Sequence, residues 1–84
     1  MKRSRDVIIS KILDICTSGA HKTKIVYQAN LNFRTINPYL ELLIGSGMIN
    51  AKREGNLVIY KTTTRGFALL DNYKQIEGEL SLDT

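Results

Sequence analysis

The sequence predicts an α+β fold in which three helices precede a β-hairpin and a further helix follows it. Three observations predict this arrangement. Apolar residues recur at helical spacing in three segments before residue 47. Two short segments that read as strands, the first with alternating apolar and polar residues, then flank Glu54-Gly55-Asn56, which is typical of a hairpin turn. A last segment with helical spacing follows Thr64, and 84 residues form one compact domain.

The first two helices are predicted over residues 5–18 and 23–29. Ser4 is a suitable N-cap for the first helix, and Gly19 suits a C-terminal cap in the left-handed conformation. The apolar face of this helix consists of Ile8, Ile9, Ile12, Leu13 and Cys16. Residues 20–22 are expected to form a linker, and Asn30-Leu31-Asn32 a tight turn after the second helix.

The third helix is predicted over residues 33–46, with Asn32 as its N-cap. Pro38 removes one hydrogen bond from the helix interior. Two arrangements are therefore open, a distorted but continuous helix or a regular helix that starts at Pro38 with Asn37 as its cap. We expect the continuous helix. Its apolar side packs on the first two helices and leaves a polar side outward: Arg34, Thr35, Asn37 and Glu41.

Two strands, over residues 48–53 and 57–61, are predicted to form the hairpin. Ile49 and Ala51 alternate with polar residues, as in a half-buried antiparallel pair. The three threonines of residues 62–64 offer a cap for the last helix. Apolar positions in that helix step by four, three and four residues, which is a coiled-coil spacing. The residues are Leu69, Tyr73, Ile76 and Leu80.

The charge is unevenly distributed along the chain. Residues 1–65 contain eleven basic and four acidic residues, a net charge of +7, whereas residues 66–84 contain one basic and four acidic residues, a net charge of −3. A basic body of this kind suits a polyanionic partner. One histidine and one cysteine argue against a zinc cluster or a Cys–His nucleophile, and paired carboxylates and phosphate-binding loops are missing from the sequence. We therefore expect a non-enzymatic protein without cofactor, metal or small-molecule ligand, and without a membrane span.

The order helix, helix, tight turn, helix, hairpin, helix is that of a winged helix-turn-helix. The third helix is expected in the major groove of duplex DNA, where its N-terminal residues meet base edges. The wing, residues 52–57, is expected on the DNA backbone or in the minor groove. The backbone N–H groups and partial positive charge at the start of the second helix favour binding of a phosphate oxygen. The candidate DNA-binding residues are Lys22, Thr23, Lys24, Phe33, Arg34, Thr35, Asn37, Lys52, Arg53 and Asn56.

The chain resembles the small archaeal winged-helix DNA-binding proteins, in particular the dimeric, chromatin-associated ones of Sulfolobus. The motifs that carry the resemblance are Ile8-Ile9 with Ile12-Leu13, Lys22-Thr23-Lys24-Ile25-Val26-Tyr27, Ala29-Asn30-Leu31-Asn32 and Glu54-Gly55. The resemblance implies DNA binding without enzymatic activity by a cytoplasmic, nucleoid-associated protein. It also implies homodimers joined through C-terminal helices in an antiparallel coiled coil. Residues 1–63 would then be the DNA-binding domain and residues 64–84 the dimerisation helix.

Several alternatives stay open at the level of the sequence. The chain could act as a transcriptional regulator or as an architectural chromatin protein. A winged helix can also serve as a protein-docking module, and the basic body would suit structured RNA. Thr35 and Asn37 could be helix caps rather than DNA contacts. Tyr27 and Tyr39 could donate hydrogen bonds to phosphates or pack against the core.

Overall fold

The computed structural model describes the backbone of residues 5–81 and the side chains of residues 5–75. The predicted α+β fold is confirmed. Its helices are α1 (Arg5–Ile15), α2 (Lys22–Ala29), α3 (Phe33–Gly45) and α4 (Thr64–Ser81), and its strands are β1 (Ala20–His21), β2 (Ile49–Glu54) and β3 (Leu57–Thr62). No helix in the described part of the chain is long and apolar enough to cross a membrane.

The first helix ends in a tighter turn than predicted. The α-helical conformation stops at Ile15, and a 3₁₀ turn continues over Cys16–Ser18. Gly19 follows with a φ of +92°, and its N–H donates to the carbonyl oxygen of Cys16. The positive φ that the sequence predicted at this glycine is confirmed, although its ψ of +134° differs from that of a left-handed helical cap.

The segment predicted as a linker contains a strand. Ala20 pairs with Tyr60 and His21 with Ile59, so that β1 lies on the free edge of β3. The sheet is therefore three-stranded, in the order β1-β3-β2, rather than a simple hairpin. The second helix begins at Lys22, one residue earlier than predicted, because His21 acts as its N-cap through a hydrogen bond from the N–H of Lys24 to Nδ1, 3.2 Å long.

The turn between α2 and α3 has the predicted local structure. Asn30 is in the left-handed conformation with a φ of +57°, and the N–H of Leu31 donates to the carbonyl oxygen of Val26. Asn32 caps α3, since its Oδ1 accepts from the N–H of Thr35 at 2.7 Å. The helix then runs from Phe33 through Pro38 to Gly45, so the continuous arrangement is confirmed and a helix starting at Pro38 is excluded.

The core lies between the helices and one face of the sheet. Its central side chains come from α1, α2, α3 and β2, and the largest fully buried ones are Ile12, Leu13, Ile25, Ile36 and Ile49. Leu70 of α4 joins this core at 5% exposure. The hydroxyl of Thr62 donates to the carbonyl oxygen of Leu13 at 2.7 Å, which ties β3 to α1.

The last helix packs along α1. Tyr73 donates a hydrogen bond to Asp6 at 3.3 Å, and Lys74 forms an ion pair with Asp14 at 3.3 Å. Burial, followed by the charge of Asp6 and the hydrogen bond to it, raises the pKa of Tyr73. Thr63 caps the helix, as the sequence predicted, because its Oγ1 accepts from the N–H of Gly66 at 3.1 Å.

Candidate nucleic-acid interface

Five of the predicted DNA-binding residues are cations placed on three elements. Lys24 and Arg34 are exposed, as are the wing residues Lys52 and Arg53, and Lys22 is half-buried. None of the five forms an ion pair with an acidic side chain that the structure describes. The ion pair among the described residues joins Lys74 and Asp14. Five positive charges without an acidic partner can neutralise phosphates without first breaking a contact within the protein.

The start of α2 lies beside the tip of the wing. A groove of about 230 Å³ is lined by Lys22 and Thr23 on one side and by Asn56, Leu57 and Val58 on the other. Three predicted DNA-binding residues from two elements are thus brought together. The N-terminal amides and partial positive charge of a helix attract anions. The groove therefore places the N-terminus of α2, with the side chains of Lys22 and Thr23, beside the tip of the wing.

His21 is the residue that positions this groove and that sequence reasoning missed. The sequence predicts it in the linker of residues 20–22, whereas the structure shows that it ends β1, caps α2 and lines the groove. Histidine is outside the set of preferred N-caps, so the local sequence carried little signal. The available signal was the segment Lys22-Thr23-Lys24 directly after it. Positive charges are unfavourable at the N-terminus of a helix, so a helix that begins with them requires a cap at the preceding residue.

The N-terminal end of α3 presents its polar residues as candidates for base contacts. With Asn32 as the cap, Arg34 and Thr35 lie in the first turn and Asn37 in the second. Arg34 and Asn37 are exposed, and Thr35 is half-buried. Neither Thr35 nor Asn37 uses its side chain as a cap, because Asn32 has that role. The reading of Thr35 and Asn37 as helix caps is therefore wrong.

The outward side of α3 is less polar than predicted. Alongside Arg34 and Glu41 it exposes Phe33 (47%), Leu42 (43%) and Ile44 (39%), together with Pro38. The prediction of a polar face is therefore wrong in part. The core-facing side of the helix consists of the buried Ile36, Leu40 and Leu43 and the half-buried Tyr39, and no other described element covers the remaining apolar residues.

The two cations of the wing lie on opposite faces of the sheet. Arg53 pairs with Val58, and it shares a face with Ile49, which is buried in the core beneath the helices. Lys52 pairs with Ile59 and lies on the other face, because side chains alternate along a strand. Ala51 shares the core-side face but is exposed, contrary to the half-buried position predicted for it. Arg53 is thus the wing cation on the side of the helices.

The two tyrosines considered as phosphate contacts have different environments. Tyr27 is 86% exposed on α2, so packing against the core is excluded for it. Tyr39 is half-buried and packs against the hydrophobic core, which is the alternative that the sequence left open. Tyr27 lies three residues after Lys24, on the same face of α2. Its hydroxyl is therefore accessible next to a candidate phosphate contact.

Two of the four predicted dimerisation residues contact the protein's own core. Leu69 and Tyr73 are half-buried and pack against the core cluster. The side chains of Ile76 and Leu80 lie outside the described residues. Self-association through α4 stays a prediction. Among the residues whose side chains are described, no group of His, Cys, Asp and Glu could hold a metal ion.

Comparison with solved structures supports the architecture. Sso10a-2, a DNA-binding protein from Sulfolobus solfataricus, matches with a TM-score of 0.82 and 27% identity, over 96% of this chain and 88% of its own. The homodimeric winged helix-turn-helix DNA-binding domain Mb0332 from Mycobacterium bovis matches with a TM-score of 0.68 and 23% identity, over 86% of this chain and 68% of its own. The transcriptional repressor CouR, bound to a 23-mer DNA duplex, matches with a TM-score of 0.70 and 20% identity, over 88% of this chain and 54% of its own. At their identities, the last two show the fold alone.

Sequence comparison agrees with the structural comparison. An uncharacterized protein from the archaeon Methanocaldococcus jannaschii is 41% identical over 54 residues, which are 63% of this chain and 56% of that protein. The chain thus spans little more than half the length of this relative. The resemblance to archaeal winged-helix proteins that the sequence indicated is confirmed by these relatives. A family model described as winged helix-turn-helix matches residues 2–81, so the chain belongs to the winged helix-turn-helix family.

Proposed function

We propose that the chain binds duplex DNA as a non-enzymatic homodimer, with the N-terminal half of α3 in the major groove and the wing on the backbone or in the minor groove. The proposal rests on the exposure and the surroundings of the Arg34 and Asn37 side chains. Both side chains are exposed at the start of the second helix of a helix-turn-helix, and neither has a hydrogen-bond or ionic partner among the described residues. Base contacts come from this part of such a helix.

Phosphate contacts would supply most of the affinity. Lys22 lines the groove between α2 and the wing, Lys24 is exposed in the first turn of α2, and Arg53 shares a sheet face with Val58, which also lines the groove. Each phosphate neutralised by a cation releases counterions, so the affinity falls with salt by a slope of about 0.9 per contact. Glu41 lies one turn after Asn37 on the outward side of α3. Its negative charge disfavours the close approach of a phosphate at that point. The N-terminal end of α3 is therefore the end that would enter the groove.

The relatives support the same function. Sso10a-2 is described as a DNA-binding protein, and CouR is bound to a DNA duplex. Mb0332 is described as homodimeric. Together with the five cations that lack an acidic partner among the described residues, the relationship to Sso10a-2 favours DNA binding, as a transcriptional regulator or an architectural chromatin protein. DNase footprinting separates the two roles, since a regulator protects discrete sites and an architectural protein covers duplex DNA uniformly.

The test is a titration of a random-sequence duplex followed by fluorescence anisotropy over a range of salt concentrations. We expect binding that weakens steeply with salt. Arg53→Ala should reduce the slope of log affinity against log salt by about one and weaken all sequences alike. Arg34→Ala should weaken binding and blur the preference at one base position, by about 1–3 kcal/mol if it pairs with guanine.

Lys11→Ala is the matched control, because Lys11 is an exposed cation on α1 in a groove with α4, away from the proposed interface. Its salt slope should equal that of the wild type. Equal losses for Lys11→Ala and Arg53→Ala would mean that net charge, not the interface, determines binding. The proposal fails if the wild type leaves the duplex unbound at micromolar concentration in low salt.

A protein-docking module is the second candidate, and the exposed apolar side chains of α3 favour it. Phe33, Leu42 and Ile44 together expose more apolar surface than a helix dedicated to solvent requires. The failed-binding outcome above would support this function. Tight binding of duplex DNA that persists when Leu42 and Ile44 are both changed to alanine would argue against the docking function.

A further inference from the structure

Phe33 is an aromatic side chain exposed at the first position of the proposed recognition helix. It is 47% exposed although phenylalanine is normally buried, and the next residue is Arg34. Its place is set locally, because Asn32 accepts from the N–H of Thr35 and its carbonyl oxygen accepts from the N–H of Ile36 at 3.0 Å. These two hydrogen bonds fix the backbone at the start of α3 and place Phe33 at the helix end that would enter the DNA groove.

Phe33 and Asn37 lie on the same flank of α3. They are four residues apart, and residues at this spacing are neighbours on a helix surface. Both are exposed. The opposite flank carries Tyr39, which is half-buried against the core, and Leu42, and both line a groove with Arg5 of α1. The flank of Phe33 and Asn37 is thus the one that could face a ligand lying along the start of α3.

The spacing of the two side chains fits the stacking of base pairs. Four residues of an α-helix rise by about 6 Å. Successive base pairs are about 3.4 Å apart. The separation is a little less than two base-pair steps, so Phe33 and Asn37 can contact neighbouring base pairs when the start of the helix lies in the major groove.

The chemistry of the two residues points to one kind of base pair. Phenylalanine contacts the C5-methyl group of thymine, and asparagine pairs with N6 and N7 of adenine through two hydrogen bonds. Both features occur in the major groove of an A·T pair. We propose that Phe33 and Asn37 recognise A·T base pairs, with Phe33 against the thymine methyl group and Asn37 on the adenine edge. This inference rests on the proposed function, since it requires α3 to enter the major groove.

The first experiment removes the thymine methyl group without changing base pairing. Anisotropy titrations compare the alternating duplex of dA and dT with that of dA and dU. We expect the wild type to bind the uracil duplex about fourfold more weakly, because one methyl group loses its apolar contact. Phe33→Ala should bind both duplexes with equal affinity, and Phe33→Leu should keep part of the preference.

The second experiment removes the N7 acceptor of adenine. A duplex that contains 7-deazaadenine in place of adenine keeps its pairing but loses one of the two hydrogen bonds to asparagine. We expect about fivefold weaker binding by the wild type. Asn37→Ala should show no difference between the two duplexes, and its preference for thymine over uracil should persist because Phe33 is intact.

Tyr27→Ala is the matched control, because Tyr27 is an exposed aromatic residue of α2 outside the proposed base contacts. The Tyr27→Ala variant should keep the wild-type preference for thymine. Thermal unfolding should show that Phe33→Leu remains folded. Equal affinity of the wild type for the thymine and uracil duplexes would overturn the inference while leaving DNA binding intact. Failure to bind the A·T duplexes while binding the random-sequence duplex would also overturn the inference, whereas failure to bind any of these duplexes would overturn the proposed function.

Discussion

Gly66 shows how a single residue sets the position of α4. Its N–H donates to Thr63, and a Cβ built on it would run into the carbonyl oxygen of Met48, which already accepts from the N–H of Thr63 at 2.9 Å. The backbone of the loop before β2 therefore lies directly against the first turn of α4. Any side chain at position 66 must push these two segments apart.

We expect Gly66→Ala to lower the free energy of unfolding by about 1–3 kcal/mol, the usual range for overpacking in a close contact. Gly45→Ala is the matched control, because nothing lies within 4 Å of its Cβ position. That variant should be unchanged or more stable by up to about 1 kcal/mol, since alanine favours a helix over glycine. Urea unfolding measures both, and equal effects would contradict the close contact at Gly66.

Cys16 makes stability depend on pH at the alkaline end. Burial raises the pKa of its thiol from 9.0 to about 12, and the charge of Lys24 partly opposes this. The folded protein holds the proton more tightly than the unfolded chain. The contribution is therefore fully present below pH 9.0 and is lost as the pH rises toward 12.

The comparison is between wild type and Cys16→Ala, in urea unfolding at about pH 8 and about pH 10. The alanine variant should be less stable at both values because of the cavity, but its stability should fall less between them. Tyr73 also has a raised pKa, and its effect is common to both proteins. A parallel loss of stability in the two proteins would show that the thiol is accessible to water.

At the scale of elements, Pro38 is a defect that α3 tolerates. The helix is continuous from Phe33 to Gly45, although proline cannot donate the hydrogen bond that would reach the carbonyl oxygen of Arg34. Pro38 is exposed, so replacing it removes little buried surface. Pro38→Ala should raise the free energy of unfolding, by up to about 3 kcal/mol, and increase the helical signal in circular dichroism.

Glu41→Ala is a suitable control for this variant, because Glu41 is exposed on the same helix and its removal changes no backbone hydrogen bond. Its stability should stay within about 0.5 kcal/mol of the wild type. A Pro38→Ala protein that is less stable than the wild type would mean that the proline ring makes contacts which outweigh the restored bond.

The elements differ in how far the sequence determines them. The cap at Asn32 and the left-handed Asn30 follow from local hydrogen bonding, so the turn before α3 was predictable. β1 was not, because two residues become a strand only through pairing with Tyr60 and Ile59, which are far away in the sequence. The exposure of Phe33 and Leu42 was equally hidden, since helical spacing shows which residues are apolar and not which of them another element covers.

At the scale of the whole molecule, α4 has two parts with different surroundings. Leu70 lies in the core, and Tyr73 and Lys74 contact α1 near Asp6 and Asp14. The helix continues to Ser81, whereas α1 begins at Arg5. Since Tyr73 already contacts the first described turn of α1, the backbone of α4 extends past the part of α1 that the structure describes. The coiled-coil spacing continues into this part through Ile76 and Leu80.

We expect the full chain to be a dimer in size-exclusion chromatography with light scattering, because apolar residues at coiled-coil spacing are stabilised by a partner helix. A chain truncated after Gln75 keeps the contacts of Tyr73 and Lys74 with α1 and should be a folded monomer. The full-length double variant Ile76→Lys, Leu80→Lys should behave in the same way. Its DNA affinity should fall as well, because two linked DNA-binding sites reinforce each other. A wild-type monomer, or a dimer that survives both changes, would place self-association elsewhere on the molecule.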